Sequence, residues 1–312
     1  MKKRFFPLFG VLCLLSAPLS WALPHAEATP DIPALEKSAA DGDAQAKYLL
    51  GKAYFRSQGV PKDIRKSLKL LEESAALGNA EAMDGLGYLY LLGEGVPKDE
   101  AKAVEWFRKS AEKESRKGQL HLGLMLRQGK TIPLSNEESL LWIHKAADGG
   151  LPEAQAVLGR LYFLGDSLQG QDVKKAIPYL QSAAESGDAI CENMLGVAYR
   201  DASGVEENDS LAEEWFRKAA RQNNVKAQSN LAQILGVESP DAPKRQEALM
   251  WLIVSSEQGE ITAKKTFGEI EHTLPSTLLA SAKKEANRYL LRERMTSGAT
   301  AKKPQAAETE NH

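Results

Sequence analysis

The sequence predicts an all-α fold, a right-handed superhelical solenoid of helix-turn-helix repeats with a period of 36 residues, and three features of the 312-residue chain predict it. The first is a column of small residues at fixed spacing. Gly51, Gly87, Gly123, Gly159, Gly196, Ala232 and Gly268 follow at intervals of 36, 36, 36, 37, 36 and 36 residues. Each is preceded by leucine or phenylalanine and, five residues upstream, by Ala46, Ala82, Gly118, Ala154, Cys191, Ala227 or Ala263. The second is a column of large apolar residues, Leu70, Trp106, Trp142, Tyr179, Trp215 and Trp251, trailed by small pairs such as Ser74-Ala75, Ser110-Ala111 and Ala146-Ala147. The third is that apolar and small residues around both columns recur at three- and four-residue steps, the period of an amphipathic helix. A lone helix pair cannot bury its apolar stripe, so such units must stack.

The elements follow in chain order. Residues 1–22 read as a signal peptide: Met1-Lys2-Lys3-Arg4 is a positive start, Phe5 to Trp21 is mostly apolar, and Ser20-Trp21-Ala22 ends in a small-x-small cleavage pattern, with Ala26-Glu27-Ala28 as a second one. The run falls short of the roughly 20 clean apolar residues that a membrane span requires. A lead-in occupies 23–42, and residues 43–270 hold six full repeats with the first helix of a seventh. Asp43, Asn79, Ser115, Asp188 and Asn224 are placed to cap first helices, and Asp63, Asp99, Ser135, Asp172 and Asn208 to cap second helices, by accepting from free backbone N–H groups. Second helices end at Gly78, Gly150, Gly187 and Gly259, with Glu114 and Asn223 at the same place, where the chain turns left-handed. Three turns depart from the pattern: Ile132-Pro133-Leu134-Ser135, the one-residue insertion within Gly165 to Gln171, and Gly236 to Pro243, which lacks the usual aromatic and cap and is expected to be looser. Residues 275–295 form a capping helix; its Lys283, Lys284, Arg288, Arg292 and Arg294 offer a second role toward an anionic surface. The tail, 296–312, is small and polar and is expected to be disordered.

Composition narrows the function. With Lys2, Lys3 and Arg4 removed, the 40 basic residues fall to 37 against 42 acidic ones, a formal charge near −5, which gives no basic face for nucleic acid. Export predicts a periplasmic or secreted protein with no stable membrane span once the leader is cut. Cys13 leaves with that leader, and Cys191 stands in the small column, where a buried small residue is expected rather than a reactive thiol. His25, His121, His144, His272 and His312 are not spaced as metal ligands, and no nucleophile elbow, phosphate loop or dinucleotide fingerprint appears. Neither cofactor, metal centre nor catalytic constellation is therefore expected. Binding then falls to solvent-facing positions of the first helices. Those two before, one after and five after the glycine column make a stripe expected to line the concave face: Lys52, Arg56, Tyr88, His121, Leu124, Gln128, Arg160 and Val197, with Leu49, Leu92, Val157 and Asp201. Its mixture of basic, aromatic and apolar groups suits a protein or peptide segment.

The succession A-x-x-x-L-G-x-x-Y, G-V-P-x-D and W-x-x-x-A-A, clearest from Ala82 to Ala111, resembles the Sel-one-like repeat (SLR) family of the tetratricopeptide superfamily over about three quarters of the chain. The resemblance implies an adaptor that holds protein partners. Some exported relatives handle peptidoglycan or penicillin-like ligands, the alternative it implies, but they carry a cysteine pair in each repeat and this chain does not. The expected function is an exported, noncatalytic protein-binding scaffold.

Overall fold

The structure, a computed structural model, describes residues 30–128, 135–165 and 170–296. The predicted leader, the tail from 297 and the turn segments 129–134 and 166–169 lie outside the described residues. All regular structure among those described is helical. After α1 (Ile32–Ala40) come six helix pairs: α2 (Ala44–Arg56) with α3 (Ile64–Ala76), α4 (Ala80–Leu92) with α5 (Glu100–Glu112), α6 (Arg116–Gln128) with α7 (Asn136–Asp148), α8 (Pro152–Leu164) with α9 (Val173–Glu185), α10 (Ala189–Arg200) with α11 (Asp209–Arg221), and α12 (Val225–Leu235) with α13 (Ala242–Glu257). Then follow α14 (Ile261–Ile270), a 3-10 turn over Glu271–Thr273, and α15 (Ser276–Thr296). The chain divides into two compact units, one ending at Ala183 and one starting at Ala184.

Local chemistry fixes the helix ends. Asp43 accepts from the backbone N–H groups of Gln45 and Ala46, Asp63 from Lys66, Asn79 from Ala82, and Asp99 from Lys102. Ser115, Ser135, Asp172, Asp188, Asn208 and Asn224 cap in the same way. The turn inside a repeat is closed by a second bond, in which the cap residue's own N–H reaches back to the tyrosine carbonyl before it: Asp63 to Tyr54, Asp99 to Tyr90, Asp172 to Tyr162 and Asn208 to Tyr199, at 2.8–3.0 Å. Gly78, Gly150, Gly187 and Gly259 take positive φ at the ends of second helices, and so do Glu114 and Asn223, with φ 62° at both. The sixth turn differs from expectation. Helix α13 begins early, at Ala242, and Asp241 accepts from Lys244 N–H while Pro243 sits in the first turn, where its missing N–H costs nothing.

The glycine column marks where the two helices of one repeat touch. A Cβ built on Gly87 falls 2.6 Å from the Phe107 ring, one on Gly123 falls 2.6 Å from Ile143 Cγ1, and one on Gly196 falls 2.5 Å from the Phe216 ring. The residues filling that contact are Leu71, Phe107, Ile143, Leu180, Phe216 and Leu252, each one place beyond the aromatic column singled out in the sequence. Apart from Trp251, which is 4 % exposed, the aromatic column instead lies at the edge of the contact. Trp106, Trp142 and Trp215 are half-exposed, and each is covered by the lysine three residues on, with Nζ at 4.3, 4.2 and 4.0 Å from the ring centre. Such exposed cation–π contacts stabilise by about 0.5–1 kcal/mol.

Small residues allow a second close approach. Ser74, Ser110 and Ser255 in second helices donate to the carbonyls of Ala44, Ala80 and Val225 in the first turn of their partner helices, at 2.6–2.9 Å. Between repeats, a Cβ on Gly118 falls 2.2 Å from Ser110 Oγ, so only glycine fits where α6 meets the preceding second helix. Successive second helices are tied at their surfaces. Arg108 donates to Glu138 at 2.7 Å in the first unit, and Arg217 pairs with Glu247 in the second. Cys191 is fully buried, as its place in the small column implies.

Two outcomes test this packing. Gly123→Ala gains about 1 kcal/mol of helix propensity. The added methyl meets Ile143 at 2.6 Å and the Ser139 carbonyl at 2.9 Å, where overpacking costs about 1–3 kcal/mol and rigid backbone sets the upper end. The expected result is a net loss of about 1–2 kcal/mol in urea unfolding. The second concerns Glu192, 4 % exposed, whose carboxyl burial pushes above the ordinary range despite the Gln222 amide donating to it at 2.8 Å. At neutral pH its charge must be kept in a buried site, whereas below the ordinary carboxylate range folded and unfolded chains both hold the proton and the cost vanishes. Glutamine already occupies this register at Gln119, Gln155 and Gln228. Glu192→Gln is expected to raise the melting temperature at pH 7 and to lose that advantage as pH falls toward 4; an equal gain at both pH values would contradict the assignment.

Candidate binding face

The predicted stripe divides by burial. Tyr88, His121, Leu124 and Arg160 are 2–8 % exposed, against the expectation that they face solvent, whereas Lys52, Arg56, Gln128 and Val197 are half-exposed. The reason is the number of neighbours. A first helix inside the stack touches its own second helix, the second helix of the preceding repeat and the first helix of an adjoining one, as α4 does with α5, α3 and α6. Residues 82–89 of α4 and 118–127 of α6 are buried without interruption. Lys52 lies on α2, next to the short lead-in helix α1, and keeps access to solvent. Val197 packs against the core of the second unit.

What the buried part of the stripe builds is a polar contact between successive repeats. His121 Nδ1 lies 2.6 Å from Asp84 Oδ1, with Asp84 1 % exposed, and the imidazole packs 5.1 Å from the Phe107 ring and 6.4 Å from Tyr88. Burial, then Asp84 and Glu94, pushes the Tyr88 hydroxyl up to about 12, so it stays neutral. Arg127, 2 % exposed, donates to Asn136 at 2.8 Å. The second unit places a neutral pair in the same register, Asn230 donating to Asn193 at 2.8 Å, with Arg200 donating to Asn230 at 3.2 Å. Sequence reasoning singled out His121 but missed its partner. The signal lies in the period: Asp84 and His121, like Asn193 and Asn230, are 37 residues apart, one more than the repeat.

Solvent-facing chemistry sits at the C-terminal ends of the first helices. In the column five after the glycine, Arg56 and Gln128 are half-exposed, Leu92 is 44 % exposed and Leu164 is 62 % exposed. Leu164 was not singled out in the sequence, although its spacing from Gly159 places it in that column. Near the start of the first unit, Leu49 and Lys52 join Ala34, Leu35 and Gln58 around a groove of about 450 Å³. A third group is aromatic: His144 lies 3.0 Å from the Tyr162 hydroxyl and 3.2 Å from that of Tyr179, and the two phenol rings stack 16° from parallel. Both ring nitrogens of His144 are thus occupied by phenols. Among the described residues no group of three or more His, Cys, Asp or Glu side chains converges as around a metal ion, and no helix is long and apolar enough to cross a membrane.

Comparison with known proteins agrees with this geometry. Among solved structures, the chain is similar to a protective antigen present in uropathogenic Escherichia coli strains displaying an SLR fold, at 29 % identity and a TM-score of 0.75, over 90 % of this chain and 61 % of that one. It is also similar to a Sel1 repeat protein from Oxalobacter formigenes, at 27 % identity and a TM-score of 0.63, over 73 % of this chain and all of the other. A segment of 90 residues, 29 % of the chain, is 37 % identical to DAP3-binding cell death enhancer 1 of Rattus norvegicus, and the chain spans only 17 % of that protein's length. The Sel1 repeat itself matches six consecutive segments, 44–79, 80–115, 116–151, 152–188, 189–224 and 225–260, each holding one helix pair. With more than half of its residues in these repeats, the chain belongs to the Sel1 repeat family.

Proposed function

We propose that the chain is an exported, noncatalytic scaffold that holds a protein partner along the ends of its first helices. Sel1 repeats are in general protein-interaction modules, and a curated relative over the matched segment is named for binding another protein. The observation that carries the reading is the row of Arg56, Leu92, Gln128 and Leu164, which sets two exposed leucines among a cation and an amide at one position of successive repeats. Exposed leucines recurring in one register have no packing role to account for them, and apolar anchors within a polar rim are the usual make-up of a recognition surface. Packed helices lie about 8–10 Å apart, so two repeats span about 20 Å. An extended segment rising about 3.3 Å per residue then presents apolar side chains about six residues apart to Leu92 and Leu164. Export rests on the basic start and apolar run of residues 1–22 and places the partner in the periplasm or outside the cell.

The test is affinity capture from a cell-envelope extract with the native chain and with Leu92→Ser/Gln128→Ala/Leu164→Ser, circular dichroism establishing that both are equally helical. These positions are chosen because Tyr88 and Arg160, being buried, would confound binding with folding. The native chain is expected to retain a partner that the variant loses at least tenfold, about 1.4 kcal/mol. A partner held equally by both removes this row as the binding face.

A further inference from the structure

The last helix carries a surface that packing does not use. On one side α15 closes the second unit: Ala282 and Ala286 are fully buried, the Tyr289 ring meets Trp251 edge-on at 5.0 Å, and the Tyr289 hydroxyl donates to the Ala220 carbonyl at 3.1 Å. The opposite side is chemically distinct. Ala280, Lys284, Asn287, Arg288, Leu291, Arg292 and Met295 recur at three- and four-residue steps and form one shallow face about 22 Å long. Leu291 is 59 % exposed and Met295 85 % exposed at its middle and end, and Lys284, Arg288 and Arg292 stand beside them at four-residue intervals, all exposed.

Charge is segregated onto this helix. It holds five basic side chains against Glu285 and Glu293, within a chain whose formal net charge is −2. Two of the nearby acids are engaged at its margins. Glu271 is paired with Lys283 at the edge, and Glu285 accepts from Gln246 on the packed side, at 2.6 and 2.7 Å.

We infer that this face of α15 docks the protein on an anionic lipid surface, with Lys284, Arg288 and Arg292 at the headgroups and Leu291 and Met295 in the acyl boundary. The face has the make-up of an interfacial helix, in which apolar side chains insert shallowly and long basic ones reach outward around them. Its shape favours a bilayer over an acidic peptide, because it is broad and open and offers no deep pocket for a side-chain anchor. Anchored by Ala282, Ala286 and Tyr289, the helix lies along the surface and does not insert across it.

The experiment is co-flotation of the full chain with vesicles of phosphatidylcholine alone and of two parts phosphatidylcholine to one part phosphatidylglycerol. Each basic residue near such a surface contributes about a fivefold gain in partitioning. Lys284→Glu/Arg288→Glu/Arg292→Glu is therefore expected to lower partitioning onto the anionic vesicles about a hundredfold or more, and about 0.5 M salt to do the same to the native chain. Leu291→Ser/Met295→Ser is expected to weaken binding at low salt while keeping its salt dependence. All variants carry the same N-terminal apolar run, so differences between them report on α15 alone, and circular dichroism checks that each remains helical. Anionic binding unchanged by the charge reversal overturns the inference. Binding to soluble polyglutamate but not to vesicles overturns it in favour of an acidic protein partner.

Discussion

The packing within the repeats depends on how closely the two helices of a repeat approach at the glycine column. With a Cβ on Gly87 or Gly196 lying about 2.5 Å from a phenylalanine ring, a larger residue displaces the partner helix or its ring. Backbones held this close let Ser74, Ser110 and Ser255 reach carbonyls in the facing helix, and they leave the lysine-covered tryptophans at the edge of the contact. The tyrosine carbonyl that receives the cap residue's N–H then fixes where each second helix starts, so turn and contact set each other's register.

Because the repeats stack tightly within a unit, the middles of α4 and α6 have no free side. Some of the polar residues there are answered by the adjoining repeat. Asp84 and His121 answer each other in the first unit, and Asn193 and Asn230 in the second. An unanswered buried polar group costs about 1–3 kcal/mol, so these pairs select the correct neighbour as well as stabilise it. Apolar side chains that reach solvent lie instead at helix ends, as Leu92 and Leu164 do, and on the outer face of α15, as Leu291 and Met295 do.

The parts of this arrangement legible in the sequence are those decided by neighbours along the chain. The caps at Asp43, Asp63, Asn79 and Asp99 and the left-handed residues from Gly78 to Gly259 follow from local hydrogen bonding and backbone sterics. Asp241 escaped because α13 starts early, which moves its cap out of the column. Trp106 and Phe107 are adjacent and both apolar, so periodicity alone does not say which one meets Gly87. The stripe failed at Tyr88, His121, Leu124 and Arg160 for a related reason. Helical offsets within one repeat do not reveal which positions a neighbouring helix covers, and His121, for one, meets Asp84 of the preceding repeat, 37 residues away.

The claim on which this account turns is that the middle of the first helices is an interface between repeats and not a surface for a partner. A double-mutant cycle of Asp84→Ala and His121→Ala, read by urea unfolding of the native chain, both single variants and the pair, tests it most directly. The account predicts a coupling energy of about 1–3 kcal/mol, as expected for buried groups in direct contact. Additivity within about 0.3–0.5 kcal/mol would mean that the two side chains do not depend on each other, and would return His121 and its column to solvent.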